Sequence, residues 1–232
     1  PDSITTIKDY AFNGCSSLEN ITFGSKLAVI DSYAFSECDA LISVTIPAGA
    51  SVEANAFLNS DNLANVTLST SSKVVASAFN GTSFYKNPEN WTDSFLYIGD
   101  YLIAANSSLT GDVRIKEGTK RIASQAFYSC TTITSITIPE GVETIYSETF
   151  MYCSGLKSVT IPESVKTIEK DAFLGCAAIE KVFYPKDYDT WFKIDIGENN
   201  DILKNVGIYS SVTGEEITPY PAGQYREWLY DE

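Results

Sequence analysis

Histidine is absent from the sequence, methionine occurs once, and 16 Lys plus Arg face 30 Asp plus Glu, a formal charge of −14 at pH 7. Each shortage closes off a chemistry. Without histidine the usual Ser-His and Cys-His nucleophile systems cannot be assembled. A structural zinc site needs about four convergent ligands, commonly in close Cys or His pairs, and the cysteines here stand 23 apart where they are adjacent. So strong an acidic excess repels phosphate backbones, so nucleic acid is not an expected partner. No apolar run is long enough to cross a bilayer, and no basic-then-apolar leader is visible; a processed signal peptide leaves no trace. Phosphate-cradling loops, the dinucleotide fingerprint and the calcium-loop consensus are missing as well. No cofactor and no metal are therefore expected.

What the sequence has is a period. Ala-Phe recurs at Ala11-Phe12, Ala34-Phe35, Ala56-Phe57, Ala78-Phe79, Ala126-Phe127 and Ala172-Phe173, with Thr149-Phe150 as the one variant. The steps between these phenylalanines are 23, 22, 22, 48, 23 and 23 residues. Other columns keep the same phase. Three residues after each Phe come Cys15, Cys38, Ser60, Thr82, Cys130, Cys153 and Cys176; six after come Leu18, Leu41, Leu63, Tyr85, Ile133, Leu156 and Ile179. Nine after stand Ile21, Val44, Val66, Ile136, Val159 and Val182, and two further on Phe23, Ile46, Leu68, Ile138, Ile161 and Tyr184. Ile7, Ile30, Val52, Val74, Ile122, Ile145 and Ile168 precede each Phe by five. One such unit cannot bury its own apolar face, whereas stacked units share a core.

Within each unit the stretch L-x-x-V-x-I alternates apolar and polar positions and is rich in β-branched residues, which predicts a short strand closed by the following Pro or Gly. Stacking such strands makes a parallel sheet. Around Ala-Phe-x-x-Cys there is room for a single helical or 3-10 turn and nothing longer. The repeat T-I-x-x-x-A-F-x-x-C-x-x-L-x-x-V-x-I-P, seen for instance from Thr144 to Pro162 with Thr149 in the alanine place, resembles the BspA-type leucine-rich repeats of bacterial cell-surface proteins and some protist surface families. The expected fold is thus a β-rich repeat solenoid of leucine-rich-repeat type, right-handed, with a parallel sheet on one side and short turns or 3-10 segments on the other. The resemblance implies an extracellular or cell-surface protein whose usual role is adhesion to host or neighbouring-cell macromolecules.

The expected organisation is an array over 1–184, a C-terminal cap over 185–209, and a tail or start of a linker over 210–232. The long step places an interrupted or enlarged coil at about 80–114, with a hairpin turning at Gly99-Asp100. Pro1 stands where Pro139 and Pro162 stand in later units, so the array is expected to continue upstream. An uncapped first coil would then offer an end-to-end contact. All five cysteines share one inward column, and parallel Cα–Cβ vectors about 4.8 Å apart disfavour a bridge, so free structural thiols are expected.

One exposed pattern is a candidate for function. Alternation turns Asn20, Ser43, Asn65, Ser135, Ser158 and Lys181, together with Thr22, Thr45, Thr67, Thr137, Thr160 and Phe183, onto the outer sheet face. Two readings stay open: threonine simply suits a solvated strand, or the columns form a hydroxyl-rich platform for an extracellular protein or glycan. Phe183, beside Tyr184, is where that polar face becomes aromatic, and aromatics are enriched at binding centres. Five Asn-x-Ser/Thr triplets, at Asn20, Asn65, Asn80, Asn90 and Asn106, follow from the same column composition. A structural spacer is the first alternative function. A carbohydrate-active enzyme is a weaker one, because no acid column recurs at an inward position with a partner.

Overall fold

The computed structural model describes residues 2–69 and 71–217. The longer strands are β3 (Ser43–Ile46), β5 (Asn65–Leu68), β8 (Phe95–Ile98), β9 (Tyr101–Ala105), β10 (Gly111–Arg114), β12 (Ile133–Thr137), β14 (Ser158–Thr160), β16 (Lys181–Tyr184) and β18 (Gly207–Ser210). Two-residue strands alternate with them: β1 (Thr6–Ile7), β2 (Val29–Ile30), β4 (Ser51–Val52), β6 (Lys73–Val74), β7 (Trp91–Thr92), β11 (Arg121–Ile122), β13 (Thr144–Ile145), β15 (Thr167–Ile168) and β17 (Asp195–Ile196). Three helices of four residues, α1 (Ser83–Lys86), α2 (Tyr188–Trp191) and α3 (Asp201–Lys204), complete the set apart from short 3-10 turns. Among the described residues no helix is long and apolar enough to cross a membrane.

The chain divides into two compact units, one running to Ser107 and including Arg121–Tyr128, the other made of Ser108–Lys120 and the residues from Ser129 on. The first unit is a parallel β-solenoid in which β3 pairs with β5 and β1-β2-β4-β6 form a sheet of their own. In the second unit β10-β12-β14-β16-β18 form a five-stranded parallel sheet and β13-β15-β17 a three-stranded one. Each coil therefore carries two parallel ladders where the apolar pattern pointed to one. The apolar residue five before each Phe makes the second: Ile30 pairs with Val52, and Ile145 with Ile168.

The phenylalanine column lines up inside each unit. In the first, Phe12, Phe35, Phe57 and Phe79 stack in sequence with centroids 5.0, 5.3 and 5.5 Å apart. In the second, Phe150 and Phe173 stack at 5.0 Å. A buried ring of this size contributes roughly 1.5–3 kcal/mol through burial alone, and an aromatic pair adds about 0.5–1.5 kcal/mol. The core is thus a row rather than a centre.

The Ala-Phe segments differ from expectation. Only Ala76–Phe79 is a 3-10 helix; the other Ala-Phe sites are turns that hydrogen-bond from coil to coil, as in Phe35 N to Ala56 O at 2.7 Å and Glu37 N to Leu58 O at 2.8 Å. Aiming alternate amides at the next coil requires left-handed backbone two residues before the Phe and two after it. Tyr33 (φ 58°), Glu37 (φ 61°), Gln125 (φ 62°), Ser129 (φ 57°), Glu148 (φ 59°) and Tyr152 (φ 62°) all adopt it without being glycine. Each costs about 1–2 kcal/mol of local strain, which the ladder holds in place.

The cysteine column shows why small polar residues recur there. Cys38 Sγ donates to Phe12 O at 3.1 Å, Ser60 Oγ to Phe35 O at 2.7 Å and Cys176 Sγ to Phe150 O at 3.0 Å, so each bonds to a carbonyl of the preceding coil, buried in the last two cases. All five cysteines are free thiols. Burial, with Cys15 beside it, pushes the Cys38 thiol from 9.0 up to about 11, and burial does the same for Cys130. A hydrogen bond with Cys176, then burial, raises the Cys153 thiol further. Cys15 departs from the expected inward placement, since it is exposed and Phe12 is 37% exposed. Asn20–Phe23 likewise forms no strand. Among the described residues the first coil's apolar columns meet those of the second coil, as in the Phe12–Phe35 stack.

Two devices interrupt the plain repeat. After Phe79 the chain makes α1, then an antiparallel meander in which β7 pairs with β8 and β8 with β9, while β9 rejoins the parallel order beside β11. The β8–β9 turn is Gly99-Asp100, with Gly99 at φ 63°, as primed two-residue hairpin turns require. After β16, α2 is capped by Asp187, whose carboxylate accepts from the Thr190 amide at 2.8 Å and its hydroxyl at 2.6 Å. Beyond it Asn200, fully buried, accepts from the Phe173 amide at 2.9 Å and donates to Glu169 O at 2.9 Å. Most of the expected tail, residues 218–232, lies outside the described residues.

Candidate binding face

In the second unit, alternation sends Ile136, Val159, Val182 and Ile208 into the core, each no more than 6% exposed, and turns their neighbours outward. Parallel pairing then aligns two outward columns. One runs Asp112, Ser135, Ser158, Lys181 and Gly207; the other runs Arg114, Thr137, Thr160, Phe183 and Tyr209. Five strands at about 4.8 Å spacing make a face roughly 19 Å across.

Its two ends differ in chemistry. At one end Asp112 Oδ1 accepts from Ser135 Oγ at 2.7 Å and Thr134 Oγ1 at 3.2 Å. Those bonds, helped by the Arg114 charge, hold its carboxyl below the ordinary carboxylate value. At the other end the Phe183 and Tyr209 rings lie 6.0 Å apart, tilted by 48°, and Lys181 Nζ sits 5.1 Å from the centroid of Tyr209. That separation is within cation–π range. Gly207 permits this arrangement, because a Cβ there would come 2.8 Å from Tyr209 Cε2. Hydroxyls of Ser135, Thr137, Ser158 and Thr160 occupy the middle. Donors and acceptors in fixed register beside an amphipathic aromatic pair suit recognition of a polar partner. Among the described residues no group of three His, Cys, Asp or Glu side chains is placed to hold a metal ion.

The sequence-derived candidates separate into three sets. Ser135, Thr137, Ser158, Thr160, Lys181 and Phe183 are brought together on the five-stranded sheet. Ser43, Thr45, Asn65 and Thr67 are exposed on the two-stranded β3–β5 sheet of the first unit. Asn20 and Thr22 are exposed but belong to no strand, which corrects their placement on a sheet face. Asp112, Arg114, Gly207 and Tyr209 were missed. For Asp112 and Arg114 a signal existed, since Val113-x-Ile115 repeats the V-x-I pattern with the same outward alternation. For Tyr209 the phase is lost, because α2 lengthens the step from Lys181 to Gly207 to 26 residues where earlier steps are 23.

No curated protein matches the chain. Among solved structures it is similar to a leucine-rich cell surface protein from Faecalibacterium prausnitzii, with 22% identity, 84% of this chain and 80% of that one covered, and a TM-score of 0.36. A leucine-rich repeat protein from Bacteroides ovatus matches at 22% identity over 85% and 67% of the two chains, TM-score 0.34. The pneumococcal vaccine antigen PcpA matches at 18% identity over 90% and 66%, TM-score 0.38. The model of the BspA type leucine rich repeat region matches in six copies over residues 1–110 and 89–193. With the aligned Phe rows and the inward cysteine column accounted for, the chain belongs to the BspA-type leucine-rich-repeat family.

Proposed function

We propose that this chain is a secreted or cell-surface binding protein that presents the outer face of its five-stranded sheet to an extracellular protein or glycan, and that it is not an enzyme. The observation that carries the reading is the cluster of Lys181, Phe183 and Tyr209 at one end of an in-register polar face. Aromatic side chains flanked by hydrogen-bonding groups supply contact area at low entropic cost, and such residues dominate binding energies. Within this reading the expected division also stands as a proposal: an array over 1–184, a cap over 185–209 and a tail from 210.

The test is to assay the full chain against immobilised extracellular-matrix proteins and a glycan array, with a Phe183→Ala/Tyr209→Ala double variant alongside. At least one partner should bind, with the double variant weakened by about tenfold or more. Equal binding by the two proteins would remove the face from the proposal. A chain that binds nothing, and that tolerates Thr160→Glu without effect in cells, would act as a spacer instead.

A further inference from the structure

The outer face of the five-stranded sheet is small. Five strands span roughly 19 Å and four residues of strand add about 13 Å in the other direction, so the area is on the order of 250 Å². A stable contact with a folded protein takes about 800 Å² from each partner. A folded protein would have to cover far more than this sheet, whereas a thin chain laid across the strands lies within it.

The side chains favour the same kind of partner. Thr137, Ser158 and Thr160 point outward on β12 and β14, and their hydroxyls meet no protein partner among the described residues. A hydroxyl both donates and accepts, as each hydroxyl of a sugar does, so the two can pair in either sense. Strand follows strand at about 4.8 Å, close to the length of one linked pyranose unit. An apolar chain laid there would strip water from these groups and return no hydrogen bond.

At β16 and β18 the hydroxyl rows end in a platform. The Tyr209 ring lies back over Gly207, where a Cβ would come 2.8 Å from Cε2 and 3.1 Å from the phenol oxygen. Phe183 stands beside it with centroids 6.0 Å apart, and both rings are half-buried. The negative face of an aromatic ring attracts the polarised C–H bonds on one side of a pyranose. Lys181 Nζ, 5.1 Å from the Tyr209 centroid, sets a donor next to the same place.

Charge selects among glycans. In the two outward columns Arg114 and Lys181 stand against Asp112, two positive groups and one negative, on a chain of formal charge −14. A polyanionic glycan would bring many charges to a single surplus cation and be repelled by the rest of the molecule.

We infer that the partner of this face is a linear, neutral glycan, with one pyranose on the Phe183–Tyr209 platform and the following units over the hydroxyls of β14 and β12, which rests on the binding role proposed for the sheet and narrows it. The full chain is titrated calorimetrically with cellohexaose, mannohexaose, xylohexaose and chitohexaose, each beside its disaccharide, and with a heparin hexasaccharide as charged control. It is also assayed against laminin, a matrix glycoprotein, before and after enzymatic removal of the glycans. At least one neutral hexasaccharide should bind, its disaccharide about tenfold more weakly because the hydroxyl rows are left untouched. The heparin hexasaccharide should bind more weakly than that hexasaccharide.

Tyr209→Ala should weaken the hexasaccharide about tenfold, and Gly207→Ala, which displaces the ring, should act in the same direction. Thr160→Val, which removes one hydroxyl, should cost about threefold or more, and Lys86→Ala, in the first unit, should change nothing. Circular dichroism of each variant must match the parent, and Thr160→Val, the mildest change, stands in for any variant that fails to fold. Binding to laminin that survives removal of its glycans and is lost in Tyr209→Ala, with no hexasaccharide bound, overturns the glycan and leaves the face in use. A hexasaccharide bound equally by the parent, Tyr209→Ala and Thr160→Val overturns the face and the glycan together, as does the binding of no probe. Tighter binding of the heparin hexasaccharide than of every neutral one overturns the neutral class.

Discussion

The first and third coils of the first unit follow the same column pattern and end in different states. Phe12 is 37% exposed and Phe57 is fully buried. Cys15 is exposed, while Ser60, in the same column, is buried and bonds to Phe35 O at 2.7 Å. Asn20–Phe23 forms no strand, while Asn65–Leu68 is β5. In a solenoid a column position specifies a direction, and neighbours on both sides turn that direction into burial. Propensity alone does not make the strand either, because its ladder bonds come from the adjacent coil.

Three substitutions or conditions would break or sharpen that contrast. The largest effect is expected at the ring. Phe57→Ala should cost about 3–5 kcal/mol of unfolding free energy, and Phe12→Ala less than about 2 kcal/mol because part of its surface is already in water. Urea denaturation of both variants checks this, and equal losses would mean that the first coil is as well supported as the third. Ser60→Ala comes next. It leaves the Phe35 carbonyl without its donor and the Cys38 amide without its acceptor, at about 1–3 kcal/mol. Ser60→Cys, which restores the column's commoner donor, should lose less in the same assay.

The smallest effect concerns pH and the thiols. Folding raises the Cys38 and Cys130 thiols from 9.0 to about 11, so the folded state holds these protons more tightly. Stability from these groups is fully present below about pH 9 and is lost as pH rises through about 11. Thermal unfolding followed from pH 8 to pH 11.5 should show the loss, and Cys38→Ser should reduce it. At pH 8 a thiol reagent should label Cys15 in the folded chain while Cys38, Cys130, Cys153 and Cys176 react only at the rate of unfolding. Labelling of Cys38 as fast as Cys15 would erase the distinction between outer and inner coils.

The two sheet faces repeat the lesson at the level of the site. Ser43, Thr45, Asn65 and Thr67 share a two-stranded sheet and are all exposed. Ser135, Thr137, Ser158 and Thr160 are similarly small and polar, yet in a five-stranded sheet they are half-buried between neighbours. Their orientation was legible from alternation alone. The company they keep was not, because Tyr209 reaches Phe183 only after α2 has shifted the spacing, and Asp112 reaches Ser135 only because the enlarged coil returns to register at β10.

Outside the first coil, spacing in the chain was enough to determine the period, the inward Phe, Leu, Ile and Cys columns, the outward Ser and Thr columns, and the Gly99-Asp100 hairpin, since each is a local pattern with a fixed geometric consequence. Tertiary structure decided the rest. Left-handed backbone at Glu37, Asn59 and Tyr152 is disfavoured locally and is held by hydrogen bonds to the next coil. Phe95 takes the place of a missing ring from a strand running the other way. Both depend on residues about one coil or more distant in sequence, and no local preference of the chain encodes which neighbour will be there.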